Sequence, residues 1–530
     1  MLVSDPTRSA AVADAVPLSN VRMRPVLLAV GIVAVLVNVL SLSASNLWVH
    51  PDSWKYIELG AGIAERFDFS NEFFVVRTPG YPLLLGCVFR LFGAYSEPVL
   101  MLVQHGMVAG MALLTALTAW HLSGRRSVAL IAGLLCACNL HLLAYANMVM
   151  SEVPFTLMLL VSVYFLVRYH RYGVWRHLIL ASLAAGVSYQ FRPIGFLMVG
   201  FCGAVVLHRL WRQWRRLAVG AGLAVAPALA AAGPWLIHNA AVFQDEKVGG
   251  SFLGLAFYQR TAGSEGLSST KSPMFLEVRA TFDQAKAMGV PIRGGSFRHS
   301  LGACDAYVGV YGMSFAEAMG RVGQAGEDLM WEHLGLMVWR ALPNTARTLL
   351  VPDPSYRFHP GGVKGVGWRL APGADIFDSA TYEPVSRRHL VGYRHYLPLR
   401  DETHATTWLW AAVNRWFYHH IEKGSPIVGV RDSPHEEFMV VCLLGGVLSL
   451  GTRRRVGWLL VGGVIATQLM GSVFLNRPDV RYLIPIQPFL MLFPALFMVL
   501  GAGAVVRAVR ACRPSGYGQT MSPWQVRHSG

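Results

Sequence analysis

The chain has 530 residues, 54% of them hydrophobic and only 14% charged, with a positive mean hydropathy. A soluble enzyme does not have that composition; a polytopic membrane protein does. The formal charge of +16 would suit a nucleic-acid partner if it lay on a soluble face, but the cations sit in short turns between apolar runs and mark topology, so no nucleic acid is expected.

In chain order, residues 1–24 are polar and are read as a cytoplasmic tail without regular structure. Apolar runs follow at 25–45, 98–120, 128–147, 153–168, 174–191, 194–210, 217–237, 436–451, 456–475 and 483–506. Against a hydrocarbon core of about 30 Å they predict about ten crossings. Alternate turns carry Arg125 and Arg126; Arg168, Arg171 and Arg176; Arg209, Arg212, Arg215 and Arg216; Arg453, Arg454 and Arg455; then Arg507, Arg510 and Arg513. By the positive-inside rule these turns and both termini face the cytoplasm. The run at 25–45 precedes small residues at Ser43 to Ser45, as a signal peptide would. It is too long for that, and the alternation of turns needs it as the first helix.

The expected fold class is an all-α polytopic bundle of about ten transmembrane helices with a long mixed extracytoplasmic region. Its parts are a core at 25–238 with a first outer loop at 46–97, an outer region at 239–435, C-terminal helices at 436–510 and a tail at 511–530. Within the first loop, "RTPGYPLLLGCVFRLFG" (77–93) is apolar but too short to span. Pro79 and Pro82 around Gly80 predict a bend and then a short interfacial helix with Pro82 in its first turn. Around 326–350 apolar residues recur at helical spacing, which predicts an amphipathic helix along the membrane surface. Of the seven cysteines, Cys136 and Cys138 sit in an apolar run and read as small buried hydrophobes. Cys304 has no local partner for a disulfide.

The charges that break the positive-inside pattern are the informative ones. Lys55, Arg77, Arg192, Arg477 and Arg481 stand on the outer side close to the membrane, with the acids Asp52, Glu152 and Asp479. Each taken alone could snorkel from a helix end. As a set they come from at least four outer turns, and ionisable groups at such depth pair or line a wet cavity. A site for an anion and a hydroxyl fits that set: guanidinium groups hold a lipid phosphate and stabilise its charge as it departs, while a carboxylate takes a proton from the acceptor.

Taken in order, "HPDSWKY", "RTPGYPLLL", "SEVPF", "FRPIGF", "GPWLIHN" and "DVRYLIPIQPFL" resemble the membrane glycosyltransferases of the GT-C fold, nearest the bacterial branch related to protein O-mannosyltransferases and to the aminoarabinose transferase that modifies lipid A. The similarity covers 25 to about 245 and resumes near 476–490. It implies a polyprenyl-phosphate-linked sugar donor and an envelope glycan, glycolipid or protein acceptor, used on the outer face of a bacterial inner membrane with inversion at the anomeric carbon. The resemblance makes Asp52 the catalytic base and Glu152 the acid that positions substrate. Arg77, Arg192, Arg481 and Lys55 would bind donor phosphate, and Tyr81 and Tyr482 would contact substrate. Ser53 beside Asp52 departs from the adjacent acids of the protein mannosyltransferases, which argues against a protein acceptor.

His404, His419, His420, Glu422 and His435 invite a metal, but their spacing lacks the ligands on one helix face that such a site requires. No cofactor is expected, with a divalent metal left open. Trp408, Trp410, Trp416, Phe417 and Tyr418 read as an interface belt. "GGVKGVG" lacks the strand and helix context of a nucleotide loop. Two other classes stay open: a secondary transporter or lipid flippase, which would place charges near the bilayer midplane, and a non-catalytic envelope scaffold, for which Asp52 and Glu152 would be dispensable.

Overall fold

The computed structural model describes residues 6–44, 47–49, 52–93, 96–243, 250–350, 435–475 and 484–512, with short strand segments between 358 and 394. The first bundle comprises α1 (Pro6–Ala44), α2 (Ser53–Arg66), α3 (Gly80–Phe92), α4 (Ser96–Ser123), α5 (Arg126–Ala137), α6 (Leu140–Ala146), α7 (Glu152–Tyr172), α8 (Trp175–Phe191), α9 (Leu197–Leu210) and α10 (Trp214–Phe243). A second group is formed by α11 (Gly250–Tyr258), α12 (Pro273–Ala287), α13 (Ser300–Tyr311), α14 (Phe315–Glu332) and α15 (Leu334–Leu350). Helices His435–Leu450, Arg455–Leu475 and Leu492–Cys512 then rejoin the bundle.

Among the described residues six segments are long and apolar enough to cross a membrane: Met23–Ser43, Ser96–Ser123, Glu152–Tyr172, Pro193–Leu210, Trp214–Phe243 and Ile484–Ala508. Shorter apolar helices, Gly80–Phe92, Arg126–Ala137, Phe438–Leu450 and Arg455–Gly471, accompany them. The run expected to cross at 128–147 is two helices: Asn139 interrupts it and caps α6, its side chain accepting from the Leu142 N–H at 3.0 Å. The tail expected without structure is helical too, since α1 reaches back to Pro6.

Lipid supplies no hydrophobic drive between helices, so close approach and polar contacts hold the bundle together. A Cβ on Gly186 of α8 would run into the Ala228 backbone of α10. His105 of α4 bridges Asn38 of α1 (2.7 Å) and Asn147 (3.0 Å), and Asn147 reaches Ser41 at 3.2 Å. One residue earlier, Gln104 Nε2 donates to the Ala146 and Met148 carbonyls, both at 2.9 Å. These bonds fix the irregular turn from Ala146 to Ser151 that delivers Glu152.

The expected bend at Pro79 and Gly80 is present, with Pro82 in the first turn of α3. Gly80 permits it, because a Cβ there would lie 2.5 Å from the Gln190 carbonyl oxygen at the end of α8. Gly80→Ala is expected to lower the thermal midpoint of the detergent-solubilised protein, as overpacking costs about 1–3 kcal/mol. A midpoint unchanged from wild type would show that the two helices can part freely.

Within the second group, Leu255, Tyr258, Phe275, Tyr307, Phe315 and Leu329 share a core with Val75 of the first loop. Glu72 Oε2 accepts from the Phe315 N–H at 3.1 Å, and the Phe73 and Phe315 rings lie 5.6 Å apart. Cys304 is buried in this core, and burial pushes its thiol up to about 12, so it stays protonated and packs as a small hydrophobe. The single helix expected at 326–350 is broken at His333 between α14 and α15. Trp48–Val49 pairs antiparallel with Val366–Leu370, which pairs with Leu390–Arg394.

Candidate active site

Asp52 occupies the N-cap position of α2, but its side chain makes no cap hydrogen bond. It turns to Arg77 instead, with Oδ1 3.2 Å from Nη2. The carboxylate is 33% exposed and the guanidinium 22%, so solvent reaches the pair. The Arg77 guanidinium also stands 5.1 Å from the centre of the Tyr56 ring, a cation–π arrangement.

Glu152 opens α7, where a carboxylate meets the positive end of the helix dipole. It is fully buried, and its Oε1 lies 2.8 Å from Arg192 Nη2. Among the described residues Oε2 has no hydrogen-bond partner. Arg192 is the C-cap of α8, in extended backbone immediately before Pro193, the conformation a following proline favours. The chain therefore leaves the helix at Arg192, and the guanidinium turns across to α7.

Tyr56 connects the two pairs. One turn beyond Asp52 on α2, it carries Arg77 on its face, and its hydroxyl lies 3.2 Å from Ser151 Oγ, next to Glu152. The Tyr81 ring meets it edge to face at 5.1 Å, while the Tyr81 hydroxyl donates to Gln104 Oε1 at 3.0 Å. Tyr81 is fully buried and stands behind the pairs, joining them to the polar bonds that hold the 146–151 turn. Tyr56→Phe keeps the ring and removes the link to Ser151. It is expected to cost about 1 kcal/mol of stability, measured as the thermal midpoint in detergent; an unchanged midpoint would mean that the two pairs stand independently.

Of the residues expected at the site, Asp52, Arg77, Glu152 and Arg192 are brought together by four separate segments. Lys55 lies on the same helix as Asp52, with its ammonium 2.9 Å from Glu58 and 3.4 Å from the centre of the Phe73 ring. Arg481 and Tyr482, with Arg477 and Asp479, lie outside the described residues, as do His404, His419, His420, Glu422, Trp408, Trp410, Trp416, Phe417, Tyr418 and the side chain of His435. Among the described residues no group of three His, Cys, Asp or Glu gathers as metal ligands. In "GPWLIHN", Trp235 and His238 stack at 4.9 Å, and His238 Nε2 lies 3.0 Å from the Phe69 carbonyl oxygen, which ties α10 to the first loop.

Sequence reading passes over Tyr56, Ser151 and the Gln104–His105 pair. Two signals are present for them: Tyr56 is four residues from Asp52 and so shares its helix face, and Gln104–His105 places two adjacent polar side chains inside an apolar run.

Fold and site together define an all-α polytopic membrane protein with acid–base pairs gathered at one end of its bundle. Residues 76–238, which include Arg77, Tyr81, Glu152 and Arg192, match the family described as dolichyl-phosphate-mannose-protein mannosyltransferase. The resemblance carried by the motifs and this match agree over that segment. Among solved structures, the chain is similar to ArnT from Cupriavidus metallidurans bound to undecaprenyl phosphate, at 13% identity and a TM-score of 0.38, over 92% of this chain and 80% of that one. The apo state of the same protein gives 13%, 0.35, 90% and 77%. The Archaeoglobus fulgidus oligosaccharyltransferase in complex with zinc and sulfate gives 11% and 0.40, over 91% of this chain and 52% of that one. No curated protein matches the chain in sequence.

Proposed function

We propose that the chain is a membrane glycosyltransferase that moves a sugar from a polyprenyl-phosphate-linked donor to an acceptor hydroxyl on the extracytoplasmic face of a bacterial inner membrane. The observation that carries this reading is the convergence of Asp52, Arg77, Glu152 and Arg192 at one end of the bundle. The family match over residues 76–238 supports the reaction class.

In this reading Asp52 accepts the proton of the acceptor hydroxyl as its oxygen attacks the anomeric carbon. The bond from that carbon to the phosphate oxygen breaks, and polyprenyl phosphate leaves with the electron pair. Arg77 and Arg192 stabilise the charge left on it; each presents five N–H donors, more than one carboxylate contact consumes. Attack from the face opposite the leaving group inverts the anomeric carbon. Glu152 has one carboxylate oxygen held by Arg192 and a second that can accept from a sugar hydroxyl. Lys55, Arg481 and Tyr482 are further donor contacts in the proposal. Ser53, standing where the protein mannosyltransferases carry a second acid, favours an envelope glycan or glycolipid over a protein as acceptor.

Purified protein supplied with a labelled polyprenyl-phosphate sugar and extracted envelope acceptors tests the reaction, with mass spectrometry identifying the product. Arg77→Ala is expected to weaken donor binding about ten- to a hundredfold, the loss of a charge-assisted contact. Unchanged donor affinity would remove Arg77 from the phosphate site.

A further inference from the structure

α7 carries Glu152 at one end and Tyr172 at the other, and a helix of that length places the two ends about 30 Å apart, the depth of a hydrocarbon core. Three arginines at the far end, Arg168, Arg171 and Arg454, do not fan outward as snorkelling side chains do; they converge. Arg171 Nη1 at 3.2 Å and Arg454 Nη1 at 3.1 Å both donate to the His121 carbonyl oxygen, at the end of α4. The two guanidinium groups thus stand within about 6 Å of each other, where like charges repel. Arg168 donates to the Tyr164 hydroxyl at 3.1 Å, and the Tyr164 ring lies 5.7 Å from His121. The Tyr172 hydroxyl lies 3.3 Å from His121 Nδ1.

Capping a helix C-terminus accounts for one or two donors of a guanidinium, and Arg168 and Arg171 also stand over the Tyr164 and Tyr172 rings, but no carboxylate among the described residues answers the charge. The sequence has no Asp or Glu in 98–151, 153–243, 438–475 or 484–512, which supply the described residues of this end. Asp5 and Asp14, the acids toward the start of α1, lie outside the described side chains. His177 gives an independent sign: it is 3% exposed, its ring is 6.3 Å from that of Tyr172, and its Nδ1 has no hydrogen-bond partner among the described residues. Arg168 Nε is likewise buried and unpartnered among them.

We propose that this end of the bundle binds the phosphate of an anionic phospholipid headgroup, seated between α4, α7, α8 and the turn before Arg455–Leu475. Arg168, Arg171 and Arg454 supply the charge, with Tyr172 and His177 as polar contacts. Planar guanidinium groups match phosphate oxygens, and a basic pocket between helices at headgroup depth meets lipid phosphates laterally. The site lies opposite the proposed catalytic end and is independent of the sugar-transfer reading.

The test is the thermal midpoint of the full chain in detergent, titrated with phosphatidylglycerol, phosphatidylcholine or inorganic phosphate at constant ionic strength. Phosphatidylglycerol is expected to raise the midpoint by several degrees and the other two to leave it unmoved. Arg171→Gln combined with Arg454→Gln should abolish the rise, whereas Arg66→Gln, at an exposed arginine of the other end, should retain it. Arg168→Gln, which removes no carbonyl cap among the described hydrogen bonds, serves if the double variant does not fold, and should reduce the rise at least threefold. An equal rise with phosphatidylcholine, or a full rise in the arginine variants, overturns the proposal. An equal rise with inorganic phosphate overturns the lipid as source.

Discussion

Asp52→Asn is expected to abolish transfer from a labelled polyprenyl-phosphate sugar while leaving a folded, membrane-inserted protein. A positioned general base contributes about 10²–10⁴-fold, and an amide cannot take the acceptor proton. The fold should tolerate the change because the Asp52–Arg77 pair is partly solvated, and pairs of that kind contribute about 1 kcal/mol or less. Activity and stability are therefore expected to separate, which a purely structural carboxylate would not allow. Undiminished turnover of the well-folded variant would sink the base assignment.

Arg192→Ala should show the opposite balance, with the larger loss in stability. Glu152 is fully buried and Arg192 holds its Oε1. Removing the cation strands a charge in a dry environment, which costs about 3–5 kcal/mol. The thermal midpoint in detergent and the yield of monodisperse protein should both fall sharply. Adding Glu152→Gln to Arg192→Ala should restore most of the stability, since the stranded charge is gone, without restoring turnover. If Arg192→Ala alone is as stable as wild type, the pair is not a buried one and Glu152 finds its partner elsewhere.

The class of the protein is legible in the order of its residues, for a simple reason. Transfer out of water depends on composition over about twenty residues. Asp52, Arg77, Glu152 and Arg192 can be singled out because an ionisable group beside a bilayer is costly enough to need an explanation. The Pro-Gly-Tyr-Pro bend and the helix after it are likewise local, set by proline and glycine. Helices between 250 and 350 are far less legible. α12 and α14 bury one face against a core shared with the first loop, and which residues supply that core is decided by contacts more than two hundred positions apart, such as Glu72 with Phe315. The break at Asn139 belongs with these, since its side chain both caps α6 and donates to Gln487 at 2.8 Å.

By itself, then, the sequence determined that this is a polytopic membrane protein and which charges beside the bilayer need an explanation, because both follow from the free energy of putting a residue in or near hydrocarbon. Only the tertiary structure decided which acid meets which base. Asp52 pairs with Arg77 and Glu152 with Arg192 because Gly80 lets α3 close on α8, the Gln104 bonds hold the turn before α7, and Tyr56 spans the gap. Those choices rest on packing and directional hydrogen bonds between remote segments, quantities that no local reading of residues contains.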